Sequence, residues 1–436
     1  METPTGPHIL PVGQMQAPCL RVDVEVTEGA PTIAAQAGSH GARCVWLLVR
    51  VHTEPVGSLV LDLPPQGLSA MEVQAAISGE MGAEVARRLG TGSREHPGQS
   101  PFLTSRAEVL RNPPDITVVV CTHERPDGLE ACLRSLLVQV YPRFSVLVVD
   151  NAPVTDRSKA VVDRFASSAI SYVIEERKGL SWARMAALEA AGGGILAWID
   201  DDETADPHWL AELARAFHEH PEAGAVSGIV VPGELETWPQ VWFEQFGGHN
   251  KLRGFTPKVF SPDTARTQSP LYPLPMFGAG GNMAFRSTAL EQIGGFDVAL
   301  GAGSRSMGAE DTLAFTELLW AGGTVVYQPT AVTYHYQRRS MEELRRQMLG
   351  YGVGLTAFYT SLVVRRPRCV PDLIRLVPTA YHDLFGGRGL QSEGLPPDFP
   401  FELLKAKRRG MLIGPIRYGR ARLDAARAGR VGSVRV

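Results

Sequence analysis

The 436-residue chain is poor in cysteine: Cys19, Cys44, Cys121, Cys132 and Cys369 are odd in number and share no paired spacing. That excludes a disulfide framework, argues against a zinc site and fits a reducing cytosol. The chain also lacks an uncharged run of the ~18 apolar residues that a membrane-spanning helix needs. The nearest approach, Met348 to Val364, is interrupted by Gly350, Gly352 and Gly354 and bordered by Arg345, Arg346, Arg365 and Arg366, so it reads as a buried or interfacial helix. Met1 to Gln16 has neither the charged start nor the apolar core of a secretory signal. No G-x-G-x-x-G and no G-K-S/T follows an expected strand, which counts against a dinucleotide oxidoreductase and a P-loop enzyme. Nor is there an excess of positive charge. With 43 Lys+Arg against 46 Asp+Glu the formal charge is -3, which argues against a general nucleic-acid binder.

What is present suffices for a sizeable core, since 44% of the residues are hydrophobic. Residues 1 to about 20 read as unstructured. Strand patterns follow at Arg21 to Val26, Cys44 to Val51 and Ser58 to Leu63, and Ser69 opens an amphipathic helix through Met71, Val73, Ile77, Val85 and Leu89. Residues 1–112 thus form a small β-hairpin and helix module, with Gly90 to Gln99 as linker and a tether up to Pro114. Its carboxylates and His52 have no catalytic spacing, so packing or partner binding is expected of it. Residues 341–436 read as a helical region with a basic tail, in which Lys405, Lys407, Arg408, Arg409, Arg417, Arg420, Arg422, Arg427, Arg430 and Arg435 are opposed only by Asp424.

Between them, residues 113–340 alternate strand and helix from Ile116, which implies a mostly parallel α/β sheet with helices on both faces. Its organising stretch is Ile195 to Ile199, an apolar run fit for a central strand, ending on Asp200, Asp201, Asp202 and Glu203. Ligands gather at the carboxyl ends of parallel strands. In extended chain Asp200 and Asp202 would point the same way, roughly 6 to 7 Å apart, with Asp201 turned elsewhere. Carboxylates this dense call for a cation, and oxygen ligands suit Mg²⁺ or Mn²⁺. Asp206 before Pro207 supplies the simpler alternative, a helix N-cap. The other strand ends carry Thr122, His123 and Arg125, then Asp150 and Asn151, then Glu175 to Gly179.

VVVCTHER (118–125), VLVVDN (146–151), KGLSWAR (178–184), IDDDE (199–203), GAGGNMAF (278–285) and GAEDT (308–312), in this order and spacing, resemble family 2 glycosyltransferases. The resemblance covers about 116–337 and implies the GT-A nucleotide-diphospho-sugar transferase fold. It implies that Thr122, Arg125 and Asp150 contact the nucleoside, that Lys178 and Arg184 contact the base or diphosphate, and that Asp200 and Asp201 serve the donor. Asp202, Asp200 and His335 would hold the metal. It further implies Asp311 as the base, with Glu310 helping to hold the acceptor. Asn151 and Met185 stand where the family often has Asp and Asn.

On the acceptor side, Gly280 and Gly281 allow close backbone approach and Asn282 offers hydrogen bonds, with a tight turn as the alternative. Trp238, Trp242, Phe243, Phe246, Phe255 and Tyr272 suit either sugar faces or plain packing. Glu310 and Asp311 at a helix start would also serve the helix dipole alone. A sugar hydroxyl is a poor nucleophile, so transfer needs a positioned proton acceptor. The expected reaction is one inverting transfer of a single sugar from a nucleoside diphosphate sugar to an acceptor hydroxyl. Gln337, Arg338 and Arg339 do not reproduce the Q-x-x-R-W of processive synthases. Rival readings are a sugar nucleotidylyltransferase and a catalytically inactive carbohydrate-binding or scaffold protein. The apolar helix from Met341 to Val364 and the basic tail predict peripheral contact with an anionic membrane surface.

Overall fold

The computed structural model describes residues 8–34, 41–90, 101–250, 253–263, 277–385 and 395–429; the expected linker at 91–99, Tyr272, Arg430 and Arg435 lie outside them. In the N-terminal part, β1 (Ile9–Leu10), β2 (Cys19–Glu25), β3 (Cys44–Val51) and β4 (Glu54–Asp62) form a sheet ordered β1-β4-β3-β2. The β3–β4 hairpin is the expected one, but β2 joins it in parallel and β1 begins at Ile9, inside the stretch read as unstructured. α1 (Ala70–Arg88) starts at a capping box, Ser69 with Glu72, and lays Val73, Ala76 and Ile77 on Val45, Leu47 and Leu61.

The segment read as a tether is instead a helix, α2 (Pro101–Arg111). The signal is tertiary: Val109 enters the main core, and the buried Arg106 donates to Glu212 at 2.6 Å. On the opposite face of the small sheet, Met15, Trp46, Leu48 and Val60 share a core with Ile229, Val231, Tyr327 and Val332. The N-terminal sheet therefore packs directly on the central one.

The central sheet follows from the expected alternation: β5 (Ile116–Thr122), α3 (Pro126–Leu136), β6 (Phe144–Asn151), α4 (Arg157–Phe165), β7 (Ile170–Glu175), α5 (Leu180–Ala190) and β8 (Ile195–Asp200). After it come β9 (Glu203–Ala205), α6 (Trp209–Glu219), β10 (Ala223–Pro232), α7 (Trp238–Gln245), β11 (Lys258–Phe260), β12 (Asn282–Arg286), α8 (Ser287–Gln292), α9 (Glu310–Trp320) and β13 (Thr324–His335). The order is β11-β13-β10-β12-β8-β5-β6-β7, with β9 on β13. β8, β5, β6 and β7 run parallel, as do β10 and β13, while β12 is antiparallel to both of its neighbours. Alternate side chains leave the strands on opposite faces. Val118, Val120 and Val148 meet α3 and α6 through Leu133, Trp209 and Leu213, whereas Val119, Val149 and Trp198 meet α5 and α9 through Ala183, Ala187 and Phe315.

The C-terminal helices α10 (Met341–Arg365), α11 (Val370–Phe385) and α12 (Phe401–Ala428) correct the expected membrane role of α10. Its glycines face protein. A Cβ on Gly352 would stand 1.9 Å from the Lys407 carbonyl oxygen, and one on Gly410 2.2 Å from that of Leu349, so α10 and α12 cross at backbone contact. Gly354 abuts Gly308 and Ala309, just before α9. Arg365 and Arg366, which would have faced anionic headgroups, are paired with Glu317. The apolar face of α10 is thus already occupied. Among the described residues no helix is long and apolar enough to cross a membrane.

Candidate active site at the carboxyl edge of the sheet

Because β5, β6, β7 and β8 are parallel, their polar C-terminal residues gather at one edge. β12, running the other way, brings the preceding Gly280 and Gly281 to that edge, and β13 ends there on His335.

β8 ends at Asp200, and a turn at 201–202 leads into β9. The extended spacing expected across the triplet stops there, and the three carboxylates go separate ways. Asp201 is buried and accepts from Thr122 Oγ1 at 2.8 Å and Arg125 Nη1 at 3.0 Å. Burial and the neighbouring Asp202 push its carboxyl up to about 6 against the pull of Arg125. Both of its oxygens are thus engaged with protein, and Thr122 with them. Asp202 meets two guanidinium groups and an imidazole, Arg125 Nη1 at 2.6 Å, Arg338 Nη1 at 3.1 Å and His335 Nε2 at 3.3 Å. Burial opposes its ionisation, but His335, Arg125 and Arg338 together hold it far below the usual carboxylate range. Asp200 is the open member, its side chain 38% exposed, 3.8 Å from Arg184.

Arg184 is fully buried on α5 and donates to Glu310 at 2.9 Å and to the Gly280 carbonyl at 3.0 Å. Those bonds hold Arg184 and Glu310 to one another and Arg184 to the loop before β12. Burial pushes the Glu310 carboxyl up to about 7 even beside that guanidinium. Asp311, next in the first turn of α9, accepts at Oδ1 from the Thr312 amide at 2.7 Å. Its Oδ2 lies 3.1 Å from where a Gly280 Cβ would be, and Asp200 Oδ2 lies 2.9 Å from where a Gly281 Cβ would be. The Gly280 Cβ would also stand 2.9 Å from Arg184 Nη2 and the Gly281 Cβ 2.2 Å from Glu203 Oε1, so neither position admits a side chain. Asn282, expected at the acceptor, is instead fully buried. Its Oδ1 accepts from Trp209 Nε1 at 2.9 Å, and its Nδ2 donates to the Ile229 and Ala331 carbonyls, both at 2.9 Å. It ties β12 to β10, β13 and α6.

Asp150 is fully buried; Oδ2 accepts from Tyr172 at 2.6 Å, and Oδ1 has no hydrogen-bond partner of good geometry among the described residues. Asn151 accepts from the Gly179 amide at 2.8 Å and donates to the Arg177 carbonyl at 2.8 Å, clamping the loop that carries Lys178. Lys178 itself is exposed. Met185 packs against Gly295 and accepts from the Phe296 amide at 3.2 Å.

Sequence reasoning left Arg338 unassigned, although it stands only three residues beyond His335 on the chain leaving β13. Among the described residues no group of three or more His, Cys, Asp or Glu is arranged to hold a metal ion. A surface groove of about 390 Å³ lined by Gln292, Ile293, Glu317, Ala321, Arg365 and Arg366 lies toward the far end of α9. It takes no part in this site.

Fold and site define a mostly parallel α/β protein with an acidic, arginine-lined edge that pairs a strand-end carboxylate cluster with a helix-start aspartate. Residues 117–294 match the family described as glycosyl transferase family 2. It is 31% identical over 192 residues to the glucosyl-dolichyl phosphate glucuronosyltransferase of Haloferax volcanii, covering 43% of this chain and 57% of that protein. It is 31% identical over 223 residues to the succinoglycan biosynthesis protein ExoM of Rhizobium meliloti, covering 50% and 65%. The chain thus spans less than two-thirds of the length of either relative. Among solved structures, the mannosyltransferase PcManGT from Pyrobaculum calidifontis, in complex with GDP-Man and Mn²⁺, is 22% identical over 80% of this chain and 86% of that one, with a TM-score of 0.42.

Proposed function

We propose that this protein transfers one sugar from a nucleoside diphosphate sugar to an acceptor hydroxyl with inversion, Asp311 taking the hydroxyl proton. The observation that carries the reading is that Asp200 and Asp311 both approach the Gly280–Gly281 backbone, where neither glycine could carry a side chain. Transfer needs a group near the leaving diphosphate and a proton acceptor near the hydroxyl within one site, and two carboxylates beside one stretch of backbone suit those two tasks. Asp150 Oδ1, buried and without a hydrogen bond of good geometry, would accept from the nucleoside, and Arg125 stands at the same edge. A panel of nucleoside diphosphate sugars with Mn²⁺, scored by thermal shift and hydrolysis, tests this. At least one donor is expected to stabilise the protein and be hydrolysed, and a panel without either response contradicts the reading. No nucleoside diphosphate from any donor, but pyrophosphate from a nucleoside triphosphate mixed with a sugar 1-phosphate, would point to nucleotidyl transfer instead.

Asp200, Asp202 and His335, which are not arranged as a metal cluster here, are the residues that would have to converge on a bound Mg²⁺ or Mn²⁺. His335 Nδ1 is buried and unpartnered, and Arg125 and Arg338 supply at Asp202 the positive charge that a cation would bring. The cation would neutralise the departing diphosphate. Chelation is expected to weaken nucleoside diphosphate binding by at least about tenfold, and Asp202→Ala to do the same. Equal affinity in EDTA and Mn²⁺ contradicts a metal role.

The proposed membrane contact moves from α10 to the outer helices. Ile374 and Val377 on α11 and Leu412, Ile416 and Leu423 on α12 are each 59% exposed or more, with Arg368, Arg375, Arg408, Arg409 and Arg420 near them in sequence. Apolar side chains among guanidinium groups are the two components of interfacial binding. Flotation with anionic vesicles is expected to carry the full chain at low salt and to fail at high salt, as screening shortens the Debye length. No flotation at low salt rules the contact out.

A further inference from the structure

The backbone that delivers Asp311 is not the one an ordinary helix start requires. Ala309, the residue before α9, has φ 71° and ψ 15°, whereas an N-cap residue is ordinarily extended, and its methyl group offers the first turn no oxygen. Two positions earlier, Met307 has φ 63°. Left-handed backbone costs little at glycine and is unfavourable once a Cβ is present, so two such residues flanking Gly308 persist only because their surroundings fix them. The Gly301 amide donates to the Gly308 carbonyl at 3.2 Å and closes the loop. Where the loop ends, Glu310 meets Arg184 at 2.9 Å and Asp311 Oδ2 approaches the backbone at Gly280.

The rest of the hold comes from the C-terminal helices. Gly350 and Gly354 stand one turn apart on α10. A Cβ at Gly350 would lie 3.5 Å from Met307 Cε, and one at Gly354 3.3 Å from the Gly308 carbonyl carbon and 3.6 Å from Ala309 Cβ. On α12, Arg417 donates to Met307 Sδ at 3.0 Å and Asp424 pairs with Arg305 at 2.5 Å. Ala309 packs against the core that Ala357, Phe358 and Tyr418 share with Leu313. Gly352, between the two glycines, meets α12 instead. Helix packing on α12 therefore explains Gly352 and not Gly354, whose bare face lies against a strained loop that runs straight into the candidate base.

We infer that the C-terminal helices belong to the catalytic unit: α10, through Gly354, fixes the backbone of Met307 to Ala309 and so positions Asp311. This rests on Asp311 as the base of the reaction proposed above. Gly354 is a positioning residue, acting through Gly308 and Ala309. A side chain there would push the loop off α10, release the left-handed residues toward ordinary φ and turn the first turn of α9 away from Gly280.

Hydrogen exchange of the full chain without ligand, compared between wild type, Gly354→Ala and Gly354→Val, tests the hold. The amide of Leu313, bonded to the Ala309 carbonyl at 3.1 Å, and that of Gly301 are expected to exchange about tenfold or more faster in Gly354→Val, with β5, β6 and β8 unchanged. Exchange equal to wild type, or faster by one factor throughout the chain, overturns it. If Gly354→Val does not fold, Gly354→Ala decides, because its Cβ already presses on the Gly308 carbonyl carbon. Hydrolysis of UDP-glucose and GDP-mannose with Mn²⁺ reads the consequence for Asp311. The kcat is expected to fall about tenfold or more in the variant while the thermal shift given by UDP or GDP is unchanged, a split that general loss of stability does not produce. An unchanged kcat in a variant with a loosened loop, or a nucleotide shift that falls along with kcat, overturns the positioning role. If wild type hydrolyses neither donor while the loop loosens in the variant, the transfer reading fails and the hold of α10 on the loop stands.

Discussion

Asp311→Asn lowers sugar transfer by about 10²- to 10⁴-fold, the range a positioned general base contributes. The substitution keeps size and shape. Its Oδ1 can still accept from the Thr312 amide, as Asp311 does at 2.7 Å, so the first turn of α9 is retained. What disappears is proton acceptance at the oxygen facing Gly280. Under the proposed function donor binding would depend on groups at the ends of β6 and β8, so a thermal shift produced by nucleoside diphosphate is expected to persist. The discriminating measurement is kcat with saturating donor, and turnover near the wild-type value would remove Asp311 from the role of base.

Glu54→Ala destabilises the fold by about 3–5 kcal/mol, the cost of stranding buried charge. Glu54 is 2% exposed and pairs with Arg88, with Arg215 at 2.5 Å and with Arg106 at 3.5 Å. Glu212, on α6, holds Arg106 at 2.6 Å and Arg215 at 2.7 Å and accepts from Thr330. Without Glu54, three guanidinium groups in this network face Glu212 and the partly exposed Glu84, with little water to solvate them. Denaturant titration measures the loss, and a change under about 1 kcal/mol, the scale of an exposed ion pair, would show the network to be solvated. Because Glu54 and Arg88 belong to the N-terminal part and Arg215 and Glu212 to the transferase core, the unfolding transitions of the two parts are expected to shift together.

Local pattern alone determined the alternation of strands and helices from Ile116 onward and the gathering of Thr122, Asp150, Asp200 and their neighbours at one edge. Apolar runs five to eight residues long specify buried strands, and parallel connection puts all their C-termini on one side. The start of α1 was legible for a similar reason, since a Ser69–Glu72 capping box is a contact between residues three apart. The partners of each site side chain depend on segments remote in sequence. Asn282 looks like a ligand contact beside Gly280 and Gly281, yet Trp209, Ile229 and Ala331 use both ends of its amide. Arg184 is committed to Glu310, 126 positions away, and Asp202 to Arg338, 136 positions away. The glycines of α10, which suggested a lipid-facing or merely buried helix, serve an approach by α12 so close that any side chain would strike its backbone. Hydropathy records that such a face must be covered; whether lipid or a second helix covers it is decided by packing geometry, because both environments exclude water equally well.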